Sequence, residues 1–173
     1  MSGPNVDRAY WPTWYALTTV TGILAGFMIS QSLILGPFFT WFIESDNTDL
    51  LRETYSVYRA SGTFALRYSL YYLPLLLSLI CGGIWAVLAF VRKTDRVVAS
   101  IAGLATYWVS AVFLGTGFMQ VEEATMKGLA DAPTLQRFAL LNVPLHSIFA
   151  VIYTVSLILL LVVATRKMRT SLS

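Results

Sequence analysis

The residues best equipped for chemistry lie in the run Leu140-Leu141-Asn142-Val143-Pro144-Leu145-His146-Ser147, which holds the only histidine of the chain. Asn142 and His146 are four positions apart and so share one face of a helix. Pro144 has no N–H, which leaves the Leu140 carbonyl free to accept a donor or touch a ligand. Glu122 or Glu123 would give His146 a carboxylate partner, with His146 as general base or hydrogen-bond donor and Arg67 stabilising developing negative charge. Each group also has a structural reading. His146 would be a hydrogen-bonded interfacial residue, Glu123 would pair with Lys127 at i,i+4 spacing, and Arg67 would be an anchor whose head reaches toward water. A Ser147–His146–Asp131 triad has no support from spacing. Glu122, Glu123 and His146 would supply oxygen and nitrogen ligands, but one histidine without a Glu-x-x-His spacing makes a poor metal set. Neither a metal nor a cofactor is expected.

These residues must be held by elements that composition describes plainly. The chain has 173 residues, 57% of them hydrophobic and 12% charged, with a mean hydropathy of +0.68. Soluble domains carry about 25% charged residues, so part of the solvent around this chain is expected to be lipid. The single cysteine, Cys81, excludes an intrachain disulfide and a CxxC pair, and reads as a small packing residue beside Gly82 and Gly83. No glycine-rich phosphate loop and no aromatic-and-basic surface pattern is present, so neither nucleotides nor nucleic acid is an expected partner. The first apolar run is too long for a cleavable signal core.

Four apolar segments predict membrane-spanning helices over about 13–43, 68–91, 97–119 and 138–165. The fold class is all-α: a single domain over 1–173, an integral membrane four-helix bundle with a short extracytoplasmic amphipathic helix between spans one and two. Gly36-Pro37 is expected to break the first span near its end. Asp46-Asn47-Thr48-Asp49 is a helix-start signal for the amphipathic piece, in which Leu50, Leu51, Tyr55, Tyr58 and Ala65 share a face, and Ser61-Gly62 closes it. The third span is rich in small residues, as suits a helix in close contact with its neighbours. The segment from Gln120 to Lys127 is expected to carry that helix out of the membrane until Gly128. Asp131-Ala132-Pro133 starts the last helix.

Charge sets the orientation. The N-terminal lead, the turn at 92–96 and the C-terminal tail hold seven cations against two acids, net +5. The other two connections hold five cations against seven acids, net −2, and the two sides recover the formal +3. The positive-inside rule then puts both termini in the cytoplasm, with a bacterial inner or plasma membrane as the expected location. No Asp, Glu, Lys, Arg or His falls at the centre of a span, which argues against a coupled transporter. Gln31 is the strongest polar group there and is expected to form an interhelical hydrogen bond. Ligand contacts are expected from Asn142, His146, Tyr71, Tyr72 and Gln31. Proline kinks at Pro37, Pro74 and Pro144 would open a pocket walled by Tyr68, Tyr71, Tyr72, Phe38, Phe39, Phe118 and Phe138.

The layout resembles the anthrone-oxygenase-like family of small bacterial and fungal four-helix membrane proteins. The features carrying the resemblance are a long first span with Gly26 and Gly36-Pro37, a polar outer loop with a helix, a short turn between spans two and three, and a polar element after the third. The family's Asn-Val-Pro-Leu-Asn run follows its third span. Here that place reads Met119-Gln120-Val121-Glu122-Glu123, and Asn142-Val143-Pro144-Leu145 stands in the fourth span instead. The resemblance implies cofactor-free oxidation of a polycyclic anthrone by dioxygen, and only Asn142 carries over as a site residue.

The functions these observations leave are an accessory or structural subunit of a membrane complex, or a binder of a small hydrophobic molecule at the outer leaflet. A membrane enzyme of oxygenase or oxidoreductase type acting on a lipid-soluble aromatic substrate is the alternative, and a passive channel or carrier the weaker one. Expected partners are the lipid bilayer and either other membrane subunits or a second copy of the chain.

Overall fold

In a computed structural model, the backbone is described for residues 4–172, and the side chains for all of these except 4–5, 62–65, 68, 71 and 169–172. The described residues are all-helical, without a strand. Long apolar runs leave the backbone no water to bond to in lipid, so intra-segment helical bonds are the available solution. Helix α1 (Pro4–Ser30) passes through a wide π-turn (Gln31–Leu35) into α2 (Gly36–Glu44). Short helices α3 (Thr48–Leu51) and α4 (Val57–Ala60) flank a second π-turn (Arg52–Ser56). Then come α5 (Gly62–Arg92), α6 (Arg96–Val98) with a third π-turn (Ala99–Gly103), α7 (Ala105–Gly115), α8 (Phe118–Met126) and α9 (Ala132–Leu172).

Three helical stretches, Val6–Glu44, Tyr72–Arg92 and Ala132–Met168, are long and apolar enough to cross a membrane. A fourth qualifies if Arg96–Gly103 and Ala105–Gly115, bent by 40° where they meet, form one span. At most 33% of the most apolar window of any of the three is buried. Leu33, Ile34, Val87, Leu140 and Val151 are each more than 60% exposed. Apolar surface on that scale is what a lipid-facing exterior requires.

Several expectations are corrected. Gly36-Pro37 does not break the first span, because the π-turn shifts the hydrogen-bond register just ahead of it and places Pro37 in the first turn of α2, where a missing N–H costs little. Glycine is required at 36 because a Cβ there would collide with the Gln31 carbonyl. The segment after the third span is not a continuation of that helix. Thr116-Gly117 interrupts it, Gly117 being left-handed at φ 67°, and α8 starts afresh. Arg137 Nη2 donates to the carbonyl of Thr116 at 2.7 Å and satisfies the broken end. The 40° bend at Leu104 has no proline in it. The second long helix begins at Gly62, before Tyr68, and runs through Pro74. Leu50 is 48% exposed while its neighbour Leu51 is buried, so the two do not share a face. Ala65 and Tyr68 lie outside the described side chains.

Contacts divide the chain into two compact units, each assembled from segments distant in sequence. The first comprises residues 1–26, 74–109 and 151–173. Its core packs Tyr10, Trp14, Leu17, Trp85, Ala89, Ala99, Ala102, Leu160 and Val163. Helix α5 meets the third span backbone to backbone. A Cβ at Gly82 would collide with the Gly103 carbonyl, and one at Gly103 would sit 3.1 Å from the Trp85 ring. Small residues at this crossing give the helices their close approach. A chain of buried hydroxyls adds to it, with Ser78 Oγ and Thr106 Oγ1 2.7 Å apart and Tyr153 OH donating to Thr106 Oγ1 at 3.1 Å. Tyr107 OH donates to the Leu79 carbonyl at 3.0 Å, and Trp108 Nε1 to the Ser100 carbonyl at 3.1 Å beside the bend. At the basic turn, Tyr10 OH donates to Asp95 Oδ2 at 2.8 Å and Arg92 pairs with Asp7 at 3.0 Å.

Candidate functional site

The second unit, residues 27–73 and 110–150, holds most of the expected site residues. The anchor is Asn142 on α9, 3% exposed. Its Nδ2 donates to the Gly36 carbonyl at 2.9 Å and to Thr40 Oγ1 at 3.2 Å, tying α9 to the first two turns of α2. His146, 6% exposed, points its Nδ1 at the Asn142 carbonyl 2.7 Å away. A carbonyl only accepts, so Nδ1 carries the proton, and in the neutral ring Nε2 is left as the bare nitrogen. No described residue hydrogen-bonds to Nε2. Phe118 and Phe149 stand edge-on to the imidazole with ring centroids 5.9 and 6.1 Å away. Phe118 itself stacks on Phe138. The histidine is thus set in an aromatic cluster, and Ser147 donates its hydroxyl to the Val143 carbonyl at 2.8 Å rather than to it.

The expected carboxylate partners stand elsewhere. Glu122 lies half-buried on α8, on the edge of the inward face formed by Phe118, Val121, Thr125 and Met126. Burial pushes its carboxyl up to about 7, against the opposing pull of the Arg59 guanidinium. Glu123 is exposed and pairs with Lys127 Nζ at 2.5 Å, a bond that holds its carboxyl below the usual range. Asp131 caps α9, accepting from the Thr134 N–H at 3.0 Å, and is likewise lowered by that bond. Arg67 is exposed on α5. Among the described residues no hydrogen bond or ion pair joins His146 to Glu122, Glu123 or Arg67. No three His, Cys, Asp or Glu side chains among them gather closely enough to hold a metal.

Gln31 departs from expectation. Its Oε1 is buried without a partner among the described residues, while its backbone carbonyl accepts from the Gly36 N–H at the end of the π-turn. Tyr72 is 38% exposed. The Tyr71 side chain lies outside the described residues.

The unit does contain an apolar cleft of about 380 Å³, open to the outside, lined by Phe38, Phe39, Phe42, Leu51, Thr54, Tyr55 and Tyr58. Phe38 and Phe39 were expected to wall a pocket. Phe118 and Phe138 were too, but both are fully buried in the cluster around His146. One wall is α2, whose rings meet edge-to-face: Phe38 with Phe39 and with Phe42, at 5.7 and 4.9 Å. The other wall is the segment of residues 48–60, and Phe39 reaches it through an edge contact with Tyr55 at 5.2 Å. Thr40 and Thr54 carried no signal in the sequence, whereas Leu51, Tyr55 and Tyr58 read as the apolar face of an amphipathic helix and not as the wall of a cleft. The amphipathic helix was visible, but not the element it covers.

The chain matches no family profile, no curated protein and no solved structure.

Proposed function

We propose that the protein is a four-span integral membrane protein, both termini cytoplasmic, that binds a small, flat, lipid-soluble ring molecule at the outer leaflet. The observation that carries the reading is the aromatic cleft. It is open and apolar, walled by ring faces and edges and lined by no charged group, its polar groups being the Thr54 hydroxyl and the phenols of Tyr55 and Tyr58. Such a surface favours uncharged ring systems over chains or ions, since offset and edge-to-face ring contacts add to apolar burial. Its walls belong to the first span and to the acidic connection after it, which the charge count puts on the outer side. The resemblance to the anthrone-oxygenase-like family supports the same ligand class. Asn142 serves this site as a positioning residue, holding the first turns of α2 and with them one cleft wall.

The test is native mass spectrometry of the detergent-purified protein with anthrone as the probe. The expected result is a one-to-one adduct that disappears in the Phe39→Ala, Tyr55→Ala double variant while the folded yield holds. An adduct of equal intensity in that variant overturns the assignment.

A further inference from the structure

We propose that the end of the first unit formed by residues 7–8, 92–96 and 166–169 binds the phosphodiester headgroup of an anionic membrane lipid. The proposal rests on the membrane-spanning reading of the chain and is independent of the aromatic cleft.

All the charge of this unit stands in those three stretches. Residues 1–26, 74–109 and 151–173 hold seven cations, Arg8, Arg92, Lys93, Arg96, Arg166, Lys167 and Arg169, against two acids, Asp7 and Asp95. Seven minus two leaves the unit at +5. Contacts bring the stretches to one end. Arg92 pairs with Asp7 at 3.0 Å, Tyr10 OH donates to Asp95 Oδ2 at 2.8 Å, and Lys167 reaches Trp11. Both carboxylates are thus engaged inside the unit, and two cannot balance seven.

The way the cations are held decides what they meet. Three of them lie back against rings instead of reaching away from the helix ends. Arg92 Cζ is 4.2 Å from the centre of the Tyr10 ring, and Lys167 Nζ is 3.8 Å from that of Trp11. Arg96 Cζ is 5.8 Å from the centre of the Phe90 ring, and its Nη2 donates to the Phe90 carbonyl at 3.3 Å. These are cation–π distances. Tyr10 and Trp11 meet edge to face at 5.2 Å, so Arg92 and Lys167 sit on adjoining rings. The ring series runs on through Trp14 to the exposed Tyr15.

Tyrosine and tryptophan gather at the headgroup depth of a bilayer. Cations laid on such rings present their charge at the level of the lipid phosphates. Nucleic acid or an acidic protein would instead call for cations projecting into water. Beside Arg92, Val87, Phe90 and Val91 are exposed and offer an apolar surface for acyl chains. A phosphodiester supplies what this end lacks, a negative charge whose oxygens accept from guanidinium and ammonium donors.

Native mass spectrometry of the detergent-purified protein with equimolar phosphatidylglycerol and phosphatidylcholine tests this. The wild type is expected to carry phosphatidylglycerol in preference. A basic side chain near an anionic surface contributes about fivefold, so Lys167→Gln and Arg96→Gln should each cut the preference about fivefold. Both residues are exposed, and a ratio of two lipids does not register a general loss of folded protein. Lys167→Arg should keep the preference. Lys127→Gln, whose charge belongs to the second unit and pairs with Glu123, should leave it unchanged. Equal binding of the two lipids, a preference untouched in both Gln variants, or an equal fall in Lys127→Gln overturns the proposal. Displacement of the lipid by inorganic phosphate at the same concentration also overturns it, in favour of a free-anion site. Retention in carbonate-washed membranes checks the membrane reading separately. A chain that washes off removes both ideas, whereas a retained chain without lipid preference removes this one alone.

Discussion

Cutting Asn142 back to alanine removes two donors from α2 and leaves the Gly36 carbonyl and Thr40 hydroxyl facing an apolar gap. Buried polar contacts between membrane helices are worth about 0.6 kcal/mol on average and up to about 1.7. Asn142→Ala should therefore destabilise by about 1 kcal/mol in an SDS titration of mixed micelles. Thr40→Ala should cost less, since the shorter bond to Gly36 survives. Gly36→Ala should cost more than either, about 1–3 kcal/mol, because its new methyl collides with the Gln31 carbonyl. Residue type and i,i+4 spacing drew attention to Asn142 and His146, and both are buried and hydrogen-bonded. Their partners were not legible, because Gly36 and Thr40 lie 106 and 102 positions before Asn142 and no local pattern links positions so far apart. Gln31 misled for a related reason. An amide in an apolar run reads as an interhelical bond, whereas the π-turn it opens is a backbone event that no side-chain type announces.

At the scale of elements, the crossing of α5 with the third span depends on two glycines and a chain of hydroxyls. Gly82→Ala places a methyl against backbone rather than against a side chain that can swing away. A loss of about 1–3 kcal/mol is expected, read as a lower SDS midpoint or lower folded yield. Thr106 stands in the middle of the hydroxyl chain, so Thr106→Ala should lose more than Ser78→Ala or Tyr153→Phe, each near 0.6 kcal/mol. A similar loss in all three would count against a connected chain. Three long apolar helices, and a fourth if the bent pair counts as one, were readable from hydropathy, and the small-residue character of the segment after the basic turn pointed to its close packing. Its interruptions were harder to see. Gly117 is one of several glycines in an apolar run, and it is its left-handed φ of 67° and the Arg137 bond to the Thr116 carbonyl that mark the helix end. The bend at Leu104 carries no proline, and Gly103 just before it reads as one more small residue of the crossing.

For the molecule as a whole, the asymmetry of charge gives the sharpest expectation. With Cys81 replaced by alanine, Lys93→Cys should react with a membrane-impermeant maleimide only in inverted vesicles, and Glu44→Cys only in intact cells. Labelling of both from the same side would remove the four-span topology. The all-helical class was legible because the apolar exterior of a membrane protein is written directly into its composition. What composition could not convey is that the described contacts sort into two units, since each unit collects pieces from both halves of the chain.

The turn at residues 93–95 bears on how the chain is made. Lys93 and Asp95 both adopt left-handed backbone, at φ 60° and 53°, and reverse the chain within a few residues, so the Gly82–Gly103 crossing joins neighbours in synthesis. Contacts this local close early and carry a small loop-closure cost. The helical hairpin is therefore expected to dock before α9 is complete, with the Tyr10 hydroxyl, made earlier still, bonding Asp95 at its turn. The last helix then enters a partly built socket, and the Tyr153 hydroxyl bond is among the final contacts to form. A substitution at Gly82 would consequently be felt in biogenesis, as arrested or degraded nascent chains, before it registered in the stability of the finished protein.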